Sequence, residues 1–362
     1  MKKLYSILVL LSLTIVAIPN MAVAGGHGDS AMADASAHKG IHFYGRIYVG
    51  FDRRSSGAAN STDSLDDNYG KSRVGMKFKE NLGGLELVGN LEYKFDLADG
   101  TTTNRNDSAT CTSVSETSSC RTFALHVGNV GLMTPIGYVG VGAFESPYKT
   151  MGQYDLNMDT AWAMNQHGAM SDSAFGMASN MESVLAYHAI MGPVELSYMY
   201  AMSERNQSNV QSGDYAYGIK FTDLILPGLE FGYAATHDNE LTAGNPGEGN
   251  KKIFGSYKVM PGLGIFFWDE DLESSGAGPS FTNGEGEILT FGAHYTMGNK
   301  VIQYSMSHGD SNLTIEDYRT QTLSLQSNLS KATDFTIGYA RQGFDSSGGS
   351  VRTWGMGLTH KF

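Results

Sequence analysis

The stretch Ile41 to Asp52, "IHFYGRIYVGFD", sets Ile41, Phe43, Ile47, Val49 and Phe51 on alternate positions, with His42, Tyr44, Arg46, Tyr48 and Asp52 between them. Such a period of two predicts a long β-strand with one apolar and one polar face. The pattern recurs in "LELVGNLEYKFD", where Leu85, Leu87, Leu91, Tyr93 and Phe95 oppose Glu86, Asn90, Glu92, Lys94 and Asp96. It recurs again in "DYAYGIKF", with Tyr215, Tyr217, Ile219 and Phe221 against Lys220. Strands of soluble sandwiches run about 5 to 6 residues, whereas a tilted strand needs about 9 to 11 to cross a bilayer. A strand in lipid cannot leave its backbone edge unpaired, so such a sheet has to close on itself.

Sixteen strands of this kind are predicted, near residues 41–52, 72–80, 85–96, 121–129, 137–144, 183–190, 193–202, 213–222, 227–236, 250–260, 262–269, 287–297, 299–308, 318–330, 333–342 and 351–362. Long connections (53–71, 97–120, 145–182, 203–212, 237–249, 270–286, 309–317 and 343–350) alternate with short turns such as "NLGG", "MG", "PG" and "SK". Transmembrane barrels have this asymmetry of long external loops and short periplasmic turns. The expected fold is all-β, a transmembrane antiparallel 16-stranded β-barrel. Its last strand must pair with its first, which explains why "MGLTHKF" keeps alternating to the end, with Met356, Leu358, His360 and Phe362 on the outward face.

Residues 1–24 read as a cleaved export signal: Lys2 and Lys3, an apolar run from Leu4 to Ile18, then Ala22-Val23-Ala24. Residues 25–40 form a short N-terminal extension and 41–362 the barrel. Cleavage would leave 23 basic against 37 acidic residues, a formal charge of −14, which argues against nucleic acid as a partner. Cys111 and Cys120 bracket a Ser/Thr-rich stretch. In an exported chain they are expected to form one disulfide pinning a loop, the alternative being two free thiols.

The segments "FYGRIYVGFD", "SRVGMKFKENLGG", "NLSKATDFTIGYA" and "GMGLTHKF", taken in order, resemble the first strand, the second strand and its turn, a late turn and the last strand of Gram-negative general porins, the trimeric 16-stranded kind. The resemblance implies a multi-pass protein of the Gram-negative outer membrane, without enzyme activity, in contact with membrane lipid and lipopolysaccharide. It also implies a homotrimer, inserted by the barrel-assembly machinery with Phe362 as the C-terminal signal. A third extracellular loop (145–182) folded into the pore would form the constriction. Arg46 and Arg73 match wall-cation positions of that family, and Arg121 is a less well spaced third. Asp155 and Asp159, four apart in the loop, are expected to share one side of a helical turn facing them, the alternative being that they only solvate or cap the loop. The chain departs from the family at Gly142-Ala143, where Gly-Arg is usual, at Ser179 and Asn180, and in a third loop without Pro-Glu-Phe-Gly-Gly. With those arginines missing and an acidic chain, mild cation preference is expected of a pore passing small hydrophilic solutes and ions by passive diffusion.

Other constellations point elsewhere. His237-Asp238 and His308 with Asp310 are read as loop pairs fit for general-base work at the rim. With them stands the alternative of a barrel acting through its loops, as adhesin or rim hydrolase. His27, His38 and His42 are scattered histidines that read as tail rather than a metal site. No cofactor is expected, although the acidic runs Asp63, Asp66, Asp67 with Asn68, and Asp269, Glu270, Asp271 with Glu273, offer oxygen ligands for a loop-bound divalent cation.

Overall fold

In a computed structural model, the described residues are 40–56, 60–66, 71–95, 97, 123–171, 180–202, 213–238, 248–272, 286–311, 317–345 and 347–362. They form β1 (Gly40–Ser56), β2 (Asn60–Asp66), β3 (Arg73–Asn81), β4 (Glu86–Lys94), β5 (Ala124–Thr134), β6 (Gly137–Glu145), β7 (Asn180–Met191), β8 (Val194–Ala201) and β9 (Tyr215–Thr222). The sheet continues with β10 (Leu229–Asp238), β11 (Glu248–Met260), β12 (Leu263–Leu272), β13 (Gly286–Met297), β14 (Lys300–Ser311), β15 (Tyr318–Asn328), β16 (Thr333–Phe344) and β17 (Ser350–Lys361). Neighbours pair antiparallel throughout, and β1 pairs with β17, so the sheet closes.

Seventeen segments make sixteen staves. β3 pairs with Gly40–Arg46 of β1 and β2 with its Gly50–Ser56 end, so the two share one position along the same edge. The alternation rule assigned Asn60–Asp66 to a long connection. In "NSTDSLD" only Leu65 is a large apolar residue, so this piece is held by backbone pairing and leaves no face to read.

The two faces are as the alternation requires. Ile47, Val49, Met356 and Leu358 are exposed outward, while Tyr48, Asp52, Thr353 and Thr359 between them are buried. In the "MG" turns the chain reverses at Gly192 and Gly298, both at φ 61°, where a side chain would be strained. Closure runs to the last residue: Gly45 N donates to Phe362 O and Phe362 N to Gly45 O, each at 3.0 Å. The Phe362 ring covers Gly45, where a Cβ would stand 2.4 Å from its Cζ.

After β6 the chain leaves the sheet as a strap, Ser146 to Ser171. It opens with the one-turn helix α1 (Pro147–Thr150), whose N-cap Ser146 accepts from Lys149 N at 3.2 Å. The strap lies on the polar face of the sheet. Gln303 Oε1 accepts from Leu156 N at 3.0 Å and its Nε2 donates to Tyr154 O at 2.6 Å. Farther along, Thr290 Oγ1 and Trp268 Nε1 donate to Ala169 O at 2.7 and 2.9 Å, and Tyr318 OH donates to Gly168 O at 2.8 Å. Tyr148, Met151, Met158, Met164 and Met170 of the strap bury a core with Phe254, Phe266 and Trp268 of the wall. Trp162 is fully buried over Gly338 and Gly355.

Candidate pore constriction

Arg46 of β1 and Arg73 of β3 are direct cross-strand partners on the polar face. Like charges so placed repel, and the arrangement holds because Asp159 of the strap stands between them. Its Oδ2 accepts from Arg46 Nη2 and from Arg73 Nη2, at 2.9 Å each. Asp159 has φ 61°, a left-handed conformation that Asp tolerates better than most residues. Burial opposes its ionisation, but Arg73 and Arg46 outweigh that and hold the carboxyl well below the usual carboxylate range.

Ion pairs and the ring of His126 continue the cluster around the wall. Arg73 Nη1 lies 3.4 Å from Glu92 Oε1. His126 Nδ1 lies 2.6 Å from the same oxygen, and its Nε2 lies 3.3 Å from Glu145 Oε1. Lys149 of α1 pairs with Glu145 at 3.0 Å. Tyr44 OH shares its proton between Asn90 Oδ1 at 2.8 Å and Glu92 Oε2 at 2.9 Å. A small cavity of about 20 Å³, partly open to solvent, is lined by Arg73, Glu145, Lys149, Thr150, Gln153, Met158 and Asp159.

The two loop carboxylates do different things, and no helical turn joins them. Around residues 151–160 the chain forms turns, and Asp155 is fully buried, pointing back into the strap. Its Oδ1 accepts from Asn157 N at 2.8 Å and its Oδ2 from Met164 N at 2.7 Å. Burial pushes its pKa up to about 6 against those two donors. Asp155→Asn presents an amide donor to one of these N–H groups, and the strap is expected to lose about 1–3 kcal/mol. Limited proteolysis within 146–171 should speed up accordingly, and an unchanged cleavage rate would contradict the assignment.

Arg121, Cys111, Cys120, His27 and His38 lie outside the described residues. His42 is exposed on β1. His237 sits in β10, its ring tilted against that of Tyr215 at 5.0 Å, and His308 and Asp310 belong to β14, so both His/Asp pairs stand on strand ends rather than in loops. Asp269, Glu270 and Asp271 alternate faces within β12: Glu270 is buried, accepting from Tyr148 OH at 2.9 Å, and the other two point away from it. Among the described residues, no group of three or more His, Cys, Asp or Glu side chains is placed to hold a metal.

Glu92, His126, Glu145 and Lys149 were not singled out by the sequence. Glu92 was visible as a polar-face residue. His126 was hidden by a bulge, since Glu92 pairs with Val127 while Tyr93 pairs with Leu125, and the extra residue breaks the alternation that a pattern would follow.

Comparison with known proteins agrees with this architecture. The anion-selective porin from Comamonas acidovorans superposes with a TM-score of 0.69 at 17% identity, covering 90% of this chain and 100% of that one. Salmonella typhi OmpF, in complex with daunomycin, superposes at 0.63 with 12% identity, over 89% and 97% of the two chains. A loop-deletion mutant of OmpT, an outer membrane protein of Vibrio cholerae, superposes at 0.60 with 13% identity, over 89% and 99%. The search of curated protein sequences returned no match. The family model for Gram-negative porins matches residues 14–362. A closed antiparallel barrel of sixteen staves and a family match over almost the whole sequence lead to one conclusion: this chain belongs to the Gram-negative porin family.

Proposed function

We propose that the polar face is the lumen of an outer-membrane channel, that the strap is its constriction, and that small hydrophilic solutes and ions cross by passive diffusion. The observation that carries this reading is the bridge from Asp159 to Arg46 and Arg73, which brings opposite charges of strap and wall together beside a partly open void. Opposed charges across a narrow aqueous gap orient dipolar solutes and disfavour apolar ones. Assembly as a homotrimer belongs to the proposal. In its support, OmpT of Vibrio cholerae, a structural neighbour, is described in a trimer form.

The chain-wide acidic charge favours cations, but the local balance runs the other way. Among the described residues near the bridge, Arg46, Arg73, Lys71, Lys94 and Lys149 face Glu92, Glu145, Asp155 and Asp159, a formal excess of one positive charge with His126 counted neutral. Salt screens charges more than about 8 Å away at physiological strength, so the narrowing outweighs distant loops and a weak anion preference follows.

The test is a planar-bilayer recording of the purified, folded protein. Stepwise openings are expected, and in a KCl gradient the reversal potential should have the sign of chloride selectivity. No steps from correctly folded barrel would refute the channel. A reversal toward potassium would refute the local-charge argument alone.

A further inference from the structure

At its first end, β1 is longer than the stave that closes on it. The last pairing across the seam joins Gly45 to Phe362, and residues 40–44 run on with β3 alone beside them. In an antiparallel ladder every second residue turns its N–H and C=O to the same neighbour. Phe43 and Ile41 therefore aim theirs as Gly45 does, into the place beyond the C-terminus. Among the described residues nothing meets these groups. The outward side chains agree: Ile47 and Val49, flanked on both sides, are 36% and 38% exposed, whereas Ile41 and Phe43 are 67% and 71% exposed. Such an edge is costly where water is scarce, and in water it is a template for strand pairing between copies.

Two features of the chain leading into β1 point to an occupant. Gly40 has φ 121°, yet a Cβ there would meet nothing within 4 Å. Glycine is therefore needed for its backbone angle and not for space, as at the last position of a three-residue hairpin loop. Before it, Ala31, Ala33, Ala35 and Ala37 alternate with Met32, Asp34, Ser36 and His38, a period of two with a small apolar face and a polar one. Residues 31–38 lie outside the described ones. With His38, Lys39 and Gly40 as the loop, Ala37 would face Ile41, Ser36 would face His42, Ala35 would face Phe43 and Asp34 would face Tyr44. The next place, opposite Gly45, is taken by Phe362, so the slot holds four residues. Cross-strand partners share a face. This register thus sets alanines beside Ile41 and Phe43 and polar residues beside His42 and Tyr44, and a loop one residue shorter would reverse both faces.

We propose that residues 34–37 pair antiparallel with residues 41–44 of β1, so that the N-terminal extension continues the wall past Phe362. The occupant is tethered beside its site, and pairing costs the entropy of closing only a short loop. The extension thereby blunts the one edge that closure leaves open at the seam, and keeps a second copy of the chain from adding a strand there.

The test is amide hydrogen exchange of the folded barrel in bilayer discs, read by mass spectrometry on fragments that cover Ile41 and Phe43. Against a chain lacking residues 25–38, wild type is expected to exchange severalfold more slowly there. A35P is expected to lose that difference, because the Ala35 N–H would donate to Phe43 O, and S36P to keep it, because the Ser36 N–H would point away from β1. Equal exchange in wild type and the shortened chain would overturn the proposal: both fast would mark an open edge, and both slow would mark cover by lipid or by another protein. A second readout is S36C/H42C, whose two positions would stand directly opposite at a spacing that a disulfide can bridge. On oxidation the bond is expected within one chain. Its absence, or covalent dimers in its place, would overturn the proposal, the dimers marking strand pairing between copies. Neither readout depends on conductance, so the channel reading is tested separately.

Discussion

Asp159→Asn is expected to shift the channel strongly toward anions. Asn keeps the size and the tolerance for φ 61° that this position needs, so the change removes charge and little else. Arg46 and Arg73 would then face one another with no carboxylate between them. Breaking a buried ion pair on one side costs about 3–5 kcal/mol when the partner stays dry. Here the groups retain some access to water, so part of the penalty appears as looser docking of the strap and part as hydration of the arginines. The measurement is reversal potential in a salt gradient, with the double variant R46Q/R73Q as the opposing arm. The aspartate variant should move chloride permeability up and the arginine variant should move it down. Identical reversal potentials in all three proteins would mean that this cluster is off the ion path.

Gly338→Leu is expected to unseat the strap and raise single-channel conductance with added open-channel noise. A Cβ at Gly338 would stand 2.1 Å from the Trp162 indole, and one at Gly355 would stand 2.5 Å from it. The ring therefore fills a hollow that only two glycines on adjacent staves leave open. Its Nε1 donates to Asn157 Oδ1 at 3.2 Å, tying the ring to the turn that precedes Asp159. Truncating such a buried aromatic costs about 3–5 kcal/mol, and Trp162→Ala should give the same conductance phenotype from the other side of the contact. Combining the two should add little to either alone, because both remove one interaction. Full additivity, or wild-type conductance in both single variants, would show that the seat does not hold the strap.

Legibility of the sequence followed the solvent. Where lipid covers one face, alternation is enforced residue by residue, and Ile47, Val49, Met356 and Leu358 announced their strands. Arg46 and Arg73 were visible for the same reason, as cations on polar positions of apolar strands. Inside the strap no such rule operates. Asp155 and Asp159 look alike at a spacing of four, yet one accepts two backbone N–H groups and the other bridges two arginines. Their fates depend on distant partners that local spacing does not encode. The run "IFFWD" in β12 carries a further sign: a stave apolar on both faces has both faces to cover, with Ile265 and Phe267 on the outward face and Phe266 and Trp268 packed under the strap.

The seat of Trp162 also orders events in time. The ring belongs to the middle of the chain, but its hollow is built from Gly338 on β16 and Gly355 on β17, the final two staves. Neither half exists until nearly the whole polypeptide has paired, and contacts spanning so much sequence form slowly. The seat of the ring is therefore among the last contacts the chain can complete, and a truncation that removed only the last stave would leave the ring half-housed as well as the wall unsealed.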